Sequence, residues 1–405
     1  MSSNFLKITL SLIFITSLSY SENKIPNKPK DRTFSPEWEV SYGGNDTDKA
    51  IGTVALENGD IAVVGTCKSF DAKQSDICVT RVNRDGKTMW RKMLGGKNTD
   101  EASGISRASD GNILVTGTSR SFSKARDRDI YVAKISLNGK GIWQNTFGGA
   151  RAEYGRAIVG TDDGGAIVVG ETESFGNGYK DIFIVKIDKK GNMLSEKVMG
   201  GEKEELVRGL TRTLDGTLVM VGSREPDRAG DGDFFLLKMD QNTKKIWSRT
   251  YGGQYEDILN AVTPTIDGGV VATGYTRSFG SIQTDLSVMK FSKDGKLIWH
   301  KIYGYKRYDF ANAITMTRDG DFIIAGATDS MGEGVYDVYI LALHQNGELF
   351  WSGLYGGRNT DIAYGVTRTS DGSIVVVGQS DSKSNAKDFY MLKLKKDAKA
   401  DKSVK

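Results

Sequence analysis

The chain has 405 residues, with 49 glycines but only 5 prolines, and its 55 basic and 51 acidic side chains leave a formal net charge of +4. Charge this evenly mixed is a solvated surface, which excludes the basic stripe of a nucleic-acid-binding protein. The 2 Cys and 2 His form no HExxH or CxxC pattern, and there is no P-loop.

The N-terminus reads as a targeting segment. Lys7 precedes an apolar run from Ile8 to Tyr20, 13 residues long. That is too short for a membrane-spanning helix and suits a signal peptide. Small residues around Ser21 predict cleavage near Ser21–Glu22, so residues 1–21 are expected to be removed on export. No Cys lies nearby to carry a lipid. Residues 22–36 are polar and contain Pro26, Pro29 and Pro36, the composition of a linker. No later run is long and apolar enough to span a bilayer. The mature chain is expected in the periplasm, on the cell surface or secreted.

From residue 37 the chain repeats itself. All six tryptophans stand five residues before a glycine, as in "WQNTFGG" from Trp143. These glycines, with one more that follows Ser195, are Gly43, Gly95, Gly148, Gly200, Gly252, Gly304 and Gly356. Their spacing is 52 residues, once 53. Asn-Gly or Asp-Gly follows fifteen residues after each mark, from Asn58 to Asp371, and another glycine follows after twenty-two, from Gly65 to Gly378. Each copy holds four β-branched, apolar runs separated by Gly and Asp turns, the pattern of antiparallel hairpins.

Four short strands repeated seven times predict an all-β, seven-bladed β-propeller over residues 37–395. The last copy stops after its third strand, "DFYMLKLKKD". The spare strand Trp38–Tyr42 is expected to pair with it and close the ring, which removes an open edge. The tryptophans are read as blade-packing residues on outer strands. The position nine after each mark is always Gly or Ala, as at Gly52, Ala157 and Gly209, because seven inner strands crowd the axis there. Residues 396–405 read as a basic, disordered tail.

The pattern "YGG…D…A…DGG…VVG.T.SF…D.Y..K.D..G…W" resembles a family of exported bacterial β-propeller repeat proteins, mostly without known activity. The likeness covers nearly all the mature chain. The "D..G…W" segment, as at Asp85, Gly86 and Trp90, more loosely resembles the tryptophan-docking motif of quinoprotein-like propellers. Those include quinone-dependent dehydrogenases and an outer-membrane assembly scaffold. That second resemblance implies a shared way of docking blades, not a shared reaction.

Candidate chemistry is sparse. Acids recur five after each mark: Asp48, Asp100, Glu153, Glu205, Asp257, Asp309 and Asp361. A converging metal ring would suffer strong like-charge repulsion, so they are read as turn caps, and no metal or cofactor is expected. A second acid opens each third strand, from Asp76 to Asp388, and a base such as Arg81, Lys134 or Lys186 follows five later, read as a structural ion pair. His300 and His344 look like surface substitutions. Cys67 and Cys78 fall on consecutive strands and are expected to form a disulfide in an exported protein.

Function is sought where a copy breaks the pattern. The sixth reads "YGYKRYDF", so Tyr305, Lys306, Arg307 and Tyr308 stand in a loop with Tyr255 in register nearby. Tyr and Arg are favoured at binding hot spots. The fourth copy carries a charged loop with Arg224, Asp227 and Arg228. The expected function is a monomeric, non-enzymatic binding or scaffold module for a protein or glycan partner in the envelope or outside the cell. The alternative is a propeller enzyme acting on carbohydrate, or a quinone-dependent oxidoreductase.

Overall fold

The computed structural model describes residues 33–397 except 124–126, 227–230, 281–282 and 383–385. The predicted signal peptide, most of the linker, the chain beyond Asp397 and the Asp227–Arg228 segment lie outside these residues.

Among the described residues twenty-eight strands, β1 to β28 in chain order, form seven four-stranded antiparallel sheets. The first blade is typical: β2 (Asp48–Ala55), β3 (Ile61–Cys67), β4 (Asp76–Val82) and β5 (Thr88–Leu94) lie side by side in that order. The seventh sheet runs β1 (Phe34–Tyr42), β28 (Asp388–Lys396), β27 (Ile374–Ser380), β26 (Asp361–Arg368). The ring is thus closed by the N-terminal strand, with Trp38 opposite Lys393 and Tyr42 opposite Phe389. β1 starts at Phe34, inside the stretch read as linker, and β28 runs one residue into the predicted tail. The reason is local: Asp397 accepts hydrogen bonds from the Thr33 hydroxyl and from Ser35 Oγ at 2.6 Å, and Phe34 packs edge-on against Trp351, 5.1 Å between centroids.

The inner strands are β2, β6 (Asp100–Arg107), β10 (Glu153–Gly160), β14 (Glu205–Arg212), β18 (Asp257–Pro264), β22 (Asp309–Met316) and β26. Each touches the inner strands of both neighbouring blades. Each also carries a bulge that leaves one residue unpaired: Ile51, Ser103, Arg156, Arg208, Asn260, Asn312 and Tyr364. The glycine twenty-two after the mark sits across from this bulge. A Cβ on Gly117 would lie 2.1 Å from Glu101 O, and one on Gly274 1.9 Å from Ile258 O. No side chain fits there. The small position after the bulge faces the next blade: a Cβ on Gly209 would stand 3.0 Å from Asn260 O.

The second and third strands supply the core. All seven side chains of β27 are buried, as are six of seven in β3 and in β4. Both faces of each middle strand meet a neighbouring blade, so these strands read as continuous apolar runs.

The tryptophans do more than fill the space between blades. Each of five donates its indole N–H to the turn between third and fourth strands of the next blade: Trp38 to Arg84 O, Trp90 to Leu137 O, Trp143 to Lys189 O, Trp247 to Lys293 O and Trp299 to Gln345 O, at 2.9–3.2 Å. Two residues on, Gly86, Gly139, Gly191, Gly295 and Gly347 adopt φ between +77° and +87° and lie over the indole ring. The junction from Ser195 lacks both parts, because the turn it faces has Thr243 at φ +63°. Lys197 Nζ reaches Thr243 O there instead, at 2.9 Å.

Cys67 and Cys78 are joined as a buried disulfide between β3 and β4, Cα to Cα 6.0 Å. Among the described residues no helix is long and apolar enough to cross a membrane.

A candidate ligand cleft between the fifth and sixth blades

In each blade the start of the inner strand and the end of the second strand lie at the same end of the sheet. Loops entering the inner strands and loops joining the second to the third strands therefore share one face. All five residues singled out from the sequence are on that face. Tyr305 N–H donates to Asp309 Oδ2 at 2.8 Å, Arg307 N–H to Ser330 Oγ at 3.0 Å, Tyr308 N–H to Asp329 Oδ1 at 2.6 Å, and Tyr255 N–H to Ser278 Oγ at 3.0 Å. Backbone bonds fix these loops and leave the side chains of Tyr255, Tyr305, Lys306, Arg307 and Tyr308 exposed.

Of the five, Tyr308 lines a cavity. This cleft holds about 620 Å³ and opens between the fifth and sixth blades, a size suited to a small-molecule ligand. Its mouth carries Tyr308 and Tyr336 from the sixth blade and Arg277, Gln283 and Thr284 from the fifth. Its wall is Glu256 with Tyr275, and its floor is Asn260, Phe310 and Asn312 from β18 and β22. Phe310 meets Tyr336 edge-on at 5.7 Å.

The floor amides are held by the ring itself. Asn260 Nδ2 donates to Ala311 O at 2.9 Å and Asn312 Nδ2 to Ala363 O at 2.8 Å. Each bulge residue thus reaches the next inner strand, and its fixed amide presents Oδ1 as an acceptor. On the wall, Tyr275 OH donates to Glu256 Oε2 at 2.8 Å. Burial pushes the Tyr275 hydroxyl well above its usual range, and the Glu256 carboxylate adds to this.

Arg208 is the bulge residue of β14. Burial lowers its pKa and the Arg156 cation lowers it further, while Glu171, Tyr275 and Glu256 oppose them. Among the described residues the lining carries one carboxylate, Glu256, which accepts the Tyr275 hydroxyl. Two-carboxylate glycoside hydrolysis needs a second one facing it across the sugar.

The acids five after each mark are turn anchors. Asp100 accepts Gly96 N–H at 3.0 Å and Ser121 Oγ–H at 2.6 Å, and Asp361 accepts Gly357 N–H at 2.9 Å and Ser382 Oγ–H at 2.6 Å. Their own N–H groups stitch blades together, Asp100 to Ser75 O at 2.7 Å and Asp361 to Tyr336 O at 2.8 Å. Glu205 also pairs with Arg224, 3.0 Å apart. Among the described residues no three His, Cys, Asp or Glu side chains gather as metal ligands.

Two sequence readings need correction. The base on the third strand does not pair with the acid that opens that strand. Five residues along a strand are about 16 Å, on opposite faces. Lys134, Lys290 and Arg81 pair instead with the acid of the Asp-Gly turn in the same blade, or with one close to that turn, Asp110 at 2.8 Å, Asp267 at 2.7 Å and Asp60 at 2.6 Å, while Lys186 Nζ donates to Asn242 Oδ1 at 3.2 Å. His300 is no surface substitution. It packs between Phe234 and Phe279, 5.9 and 5.4 Å between centroids, and its Nε2 is 2.9 Å from Ser287 Oγ. His344 does remain partly exposed, beside Asp321 at 3.3 Å.

Sequence reasoning missed Tyr275, Asn260, Phe310, Asn312 and Tyr336. A weak signal was present. The unpaired bulge position holds Ile, Ser, Arg, Arg, Asn, Asn and Tyr in successive copies, where the position before it is always Gly or aliphatic and the one after it always Gly or Ala.

No family model matches this chain, and no curated protein matches it. Solved structures do. Drosophila Plexin A, solved in complex with Semaphorin 1b, is 11% identical with a TM-score of 0.50, covering 90% of this chain and 88% of that one. A protein of unknown function from Dyadobacter fermentans is 11% identical with a TM-score of 0.50, covering 89% and 99%. Puromycin hydrolase is 13% identical with a TM-score of 0.52; the match covers 82% of this chain and 50% of that one, so this chain aligns with half of the hydrolase. Identities this low establish the shared fold and nothing more.

Proposed function

We propose that this protein is an exported, non-catalytic binding propeller that holds a glycan in the cleft between its fifth and sixth blades. The observation that carries this reading is the lining itself. Tyr275, Tyr308, Phe310 and Tyr336 offer aromatic faces, and Asn260, Asn312 and Arg277 offer planar polar groups around about 620 Å³. Sugar rings present apolar faces edged by hydroxyls, which is the complement of such a lining. The single committed carboxylate favours holding a sugar over cutting it. The apolar run from Ile8 to Tyr20 and the Cys67–Cys78 disulfide support an oxidising, exported location.

The test is a glycan array with the purified protein, followed by calorimetry on any sugar retained. Tyr308→Ala and Tyr336→Ala are each expected to weaken binding about five- to tenfold, the scale of one lost aromatic contact, with Tm unchanged. Retention of no glycan, or full affinity in both variants, would refute the reading.

A second reading has its own observation. Tyr255, Tyr305 and Tyr308 are exposed on one face, at 50%, 44% and 45%, where a protein partner would find aromatic anchors. Alanine at Tyr305 and Arg307, which lie outside the cleft lining, separates the two. A partner protein would lose affinity to that variant, and a cleft-bound glycan would not.

A further inference from the structure

We propose that the wedge between the third and fourth blades is a second ligand site, which takes a flat aromatic group bearing a carboxylate. The wedge holds about 390 Å³, within the range of small-molecule sites. Its walls are Ile182 and Met199 from the third blade and Phe235 and Leu237 from the fourth. Ile182, Phe235 and Leu237 are buried, and Met199 stands opposite Ile182 on the neighbouring strand. The lining shares no residue with that of the cleft between the fifth and sixth blades.

The ring itself shows what fits such a wedge. Two repeats further on, Tyr303 stands opposite Leu286 as Met199 stands opposite Ile182. Tyr303 is buried in one cluster with Leu286, Tyr339 and Leu341, and Leu349 packs against it. In the repeat these four hold the places of Ile182, Phe235, Leu237 and Lys245. The Tyr303 hydroxyl donates to Gly347 O, and Tyr251 OH donates to Gly295 O at 3.3 Å. A phenol thus fills the wedge and reaches the turn of the next blade. After the third blade the corresponding acceptor, Thr243 O, takes Lys197 Nζ at 2.9 Å instead. A smaller wedge of about 340 Å³ opens where Leu94 holds the tyrosine place, but there Trp90 still docks the next blade at 2.9 Å. The junction after the third blade lacks both rings: it has Ser195 in the tryptophan place and Met199 in the tyrosine place.

The rim differs from its filled counterpart in charge. Lys245 stands where the other wedge has Leu349, and Arg224, opposite Glu205, stands where it has Thr328, opposite Asp309. Arg224 pairs with Glu205 at 3.0 Å. The lining therefore carries an excess of positive charge, on Lys197 and Lys245. A flat ring between the two sheets covers the apolar walls as Tyr303 does in its own wedge, with Phe235 and the Met199 thioether as aromatic and sulfur contacts. A carboxylate at the edge of that ring meets the two ammonium groups. A neutral aromatic gains only the first of these contributions, so the wedge discriminates by charge as well as by shape.

The experiment is calorimetric titration of the purified full chain with indole-3-propionate and with its primary amide, at low and at high salt. The acid is expected to bind about two- to fivefold more tightly than the amide, the scale of an exposed ion pair, and salt should erode the difference. Met199→Tyr restores the residue of the filled wedges and should abolish binding of both compounds with Tm at or above the parent. Lys245→Leu restores the residue of the Tyr303 wedge and should bring acid and amide to equal affinity. Because Lys245 is exposed, this variant still decides the question if Met199→Tyr fails to fold. Tyr308→Ala, in the other cleft, should change neither affinity. Binding of neither compound by the parent overturns the inference. Undiminished binding in a folded Met199→Tyr, loss of binding in Tyr308→Ala, or an acid preference that survives Lys245→Leu overturns it as well.

Discussion

The junction between the third and fourth blades offers a quantitative test of how this ring is held. In five other junctions a tryptophan and a turn glycine act as one unit: the indole donates across the gap and lies against the glycine. A Cβ on Gly191 would stand 2.7 Å from the Trp143 ring, which is inside any permitted contact. Here Ser195 and Thr243 replace both partners. Ser195→Trp alone therefore drives an indole into the Thr243 side chain, with an overpacking cost of about 1–3 kcal/mol. Thr243→Gly alone relieves a left-handed, β-branched residue by about 1–2 kcal/mol, offset by glycine's extra unfolded-state entropy of about 0.5–1 kcal/mol and a lost buried methyl of about 0.8 kcal/mol. Its net effect is near zero. Together the two substitutions remove the clash and add the indole hydrogen bond, about 0.5–1.5 kcal/mol, along with ring burial. The double-mutant cycle should thus show favourable coupling of about 2 kcal/mol or more. Urea midpoints with matched m-values suit the measurement, because in a domain this large 1 kcal/mol moves Tm by only about 1–2 °C. Additivity within about 0.5 kcal/mol would refute the claim that Trp and Gly form one docking unit.

Three further outcomes follow from the packing. Burial lowers the His300 pKa to about 4, so the unfolded chain takes up a proton first as pH falls. Stability is full above about 6.5 and declines toward 4, by at most about 3 kcal/mol. His300→Phe should flatten unfolding free energy between those values, and an unchanged slope would sink this account. Cys67→Ser should cost about 2–3 kcal/mol through the loop that the Cys67–Cys78 bond closes, measured as a lower unfolding midpoint that added reductant no longer alters. Gly222→Ala should abolish soluble protein, because its Cβ would lie 1.9 Å from the backbone oxygen of Leu206. Gly268→Ala has nothing within 4 Å and differs only in its φ of +81°, so its cost should stay near 1 kcal/mol; equal loss in both variants would contradict the steric argument.

The sequence by itself determined the ring. Its period, its missing final strand and its spare Trp38–Tyr42 strand reflect local chemistry: turns need glycine, middle strands need apolar residues on both faces, and an unpaired edge must be covered. It also singled out the break at Tyr305–Tyr308, and it placed Cys67 and Cys78 on adjacent strands. What it did not reveal was the cleft, and the reason is geometric. Glu256, Tyr275, Asn312 and Tyr336 come from two repeats and converge only when inner strands pack around the axis. The partners of third-strand bases were also hidden, because Lys134 and Asp110 meet across strands rather than along the chain. Arg208 shows the limit most clearly. In sequence it is the twin of Arg156, eight residues after a mark in each case. Only the packed sheets reveal that one copy has Glu171 for a counter-ion while the other has Ser223 at that place. A repeat's average side chain defines the fold, but the charge left unpaired by one copy's departure appears only once neighbouring blades are in contact.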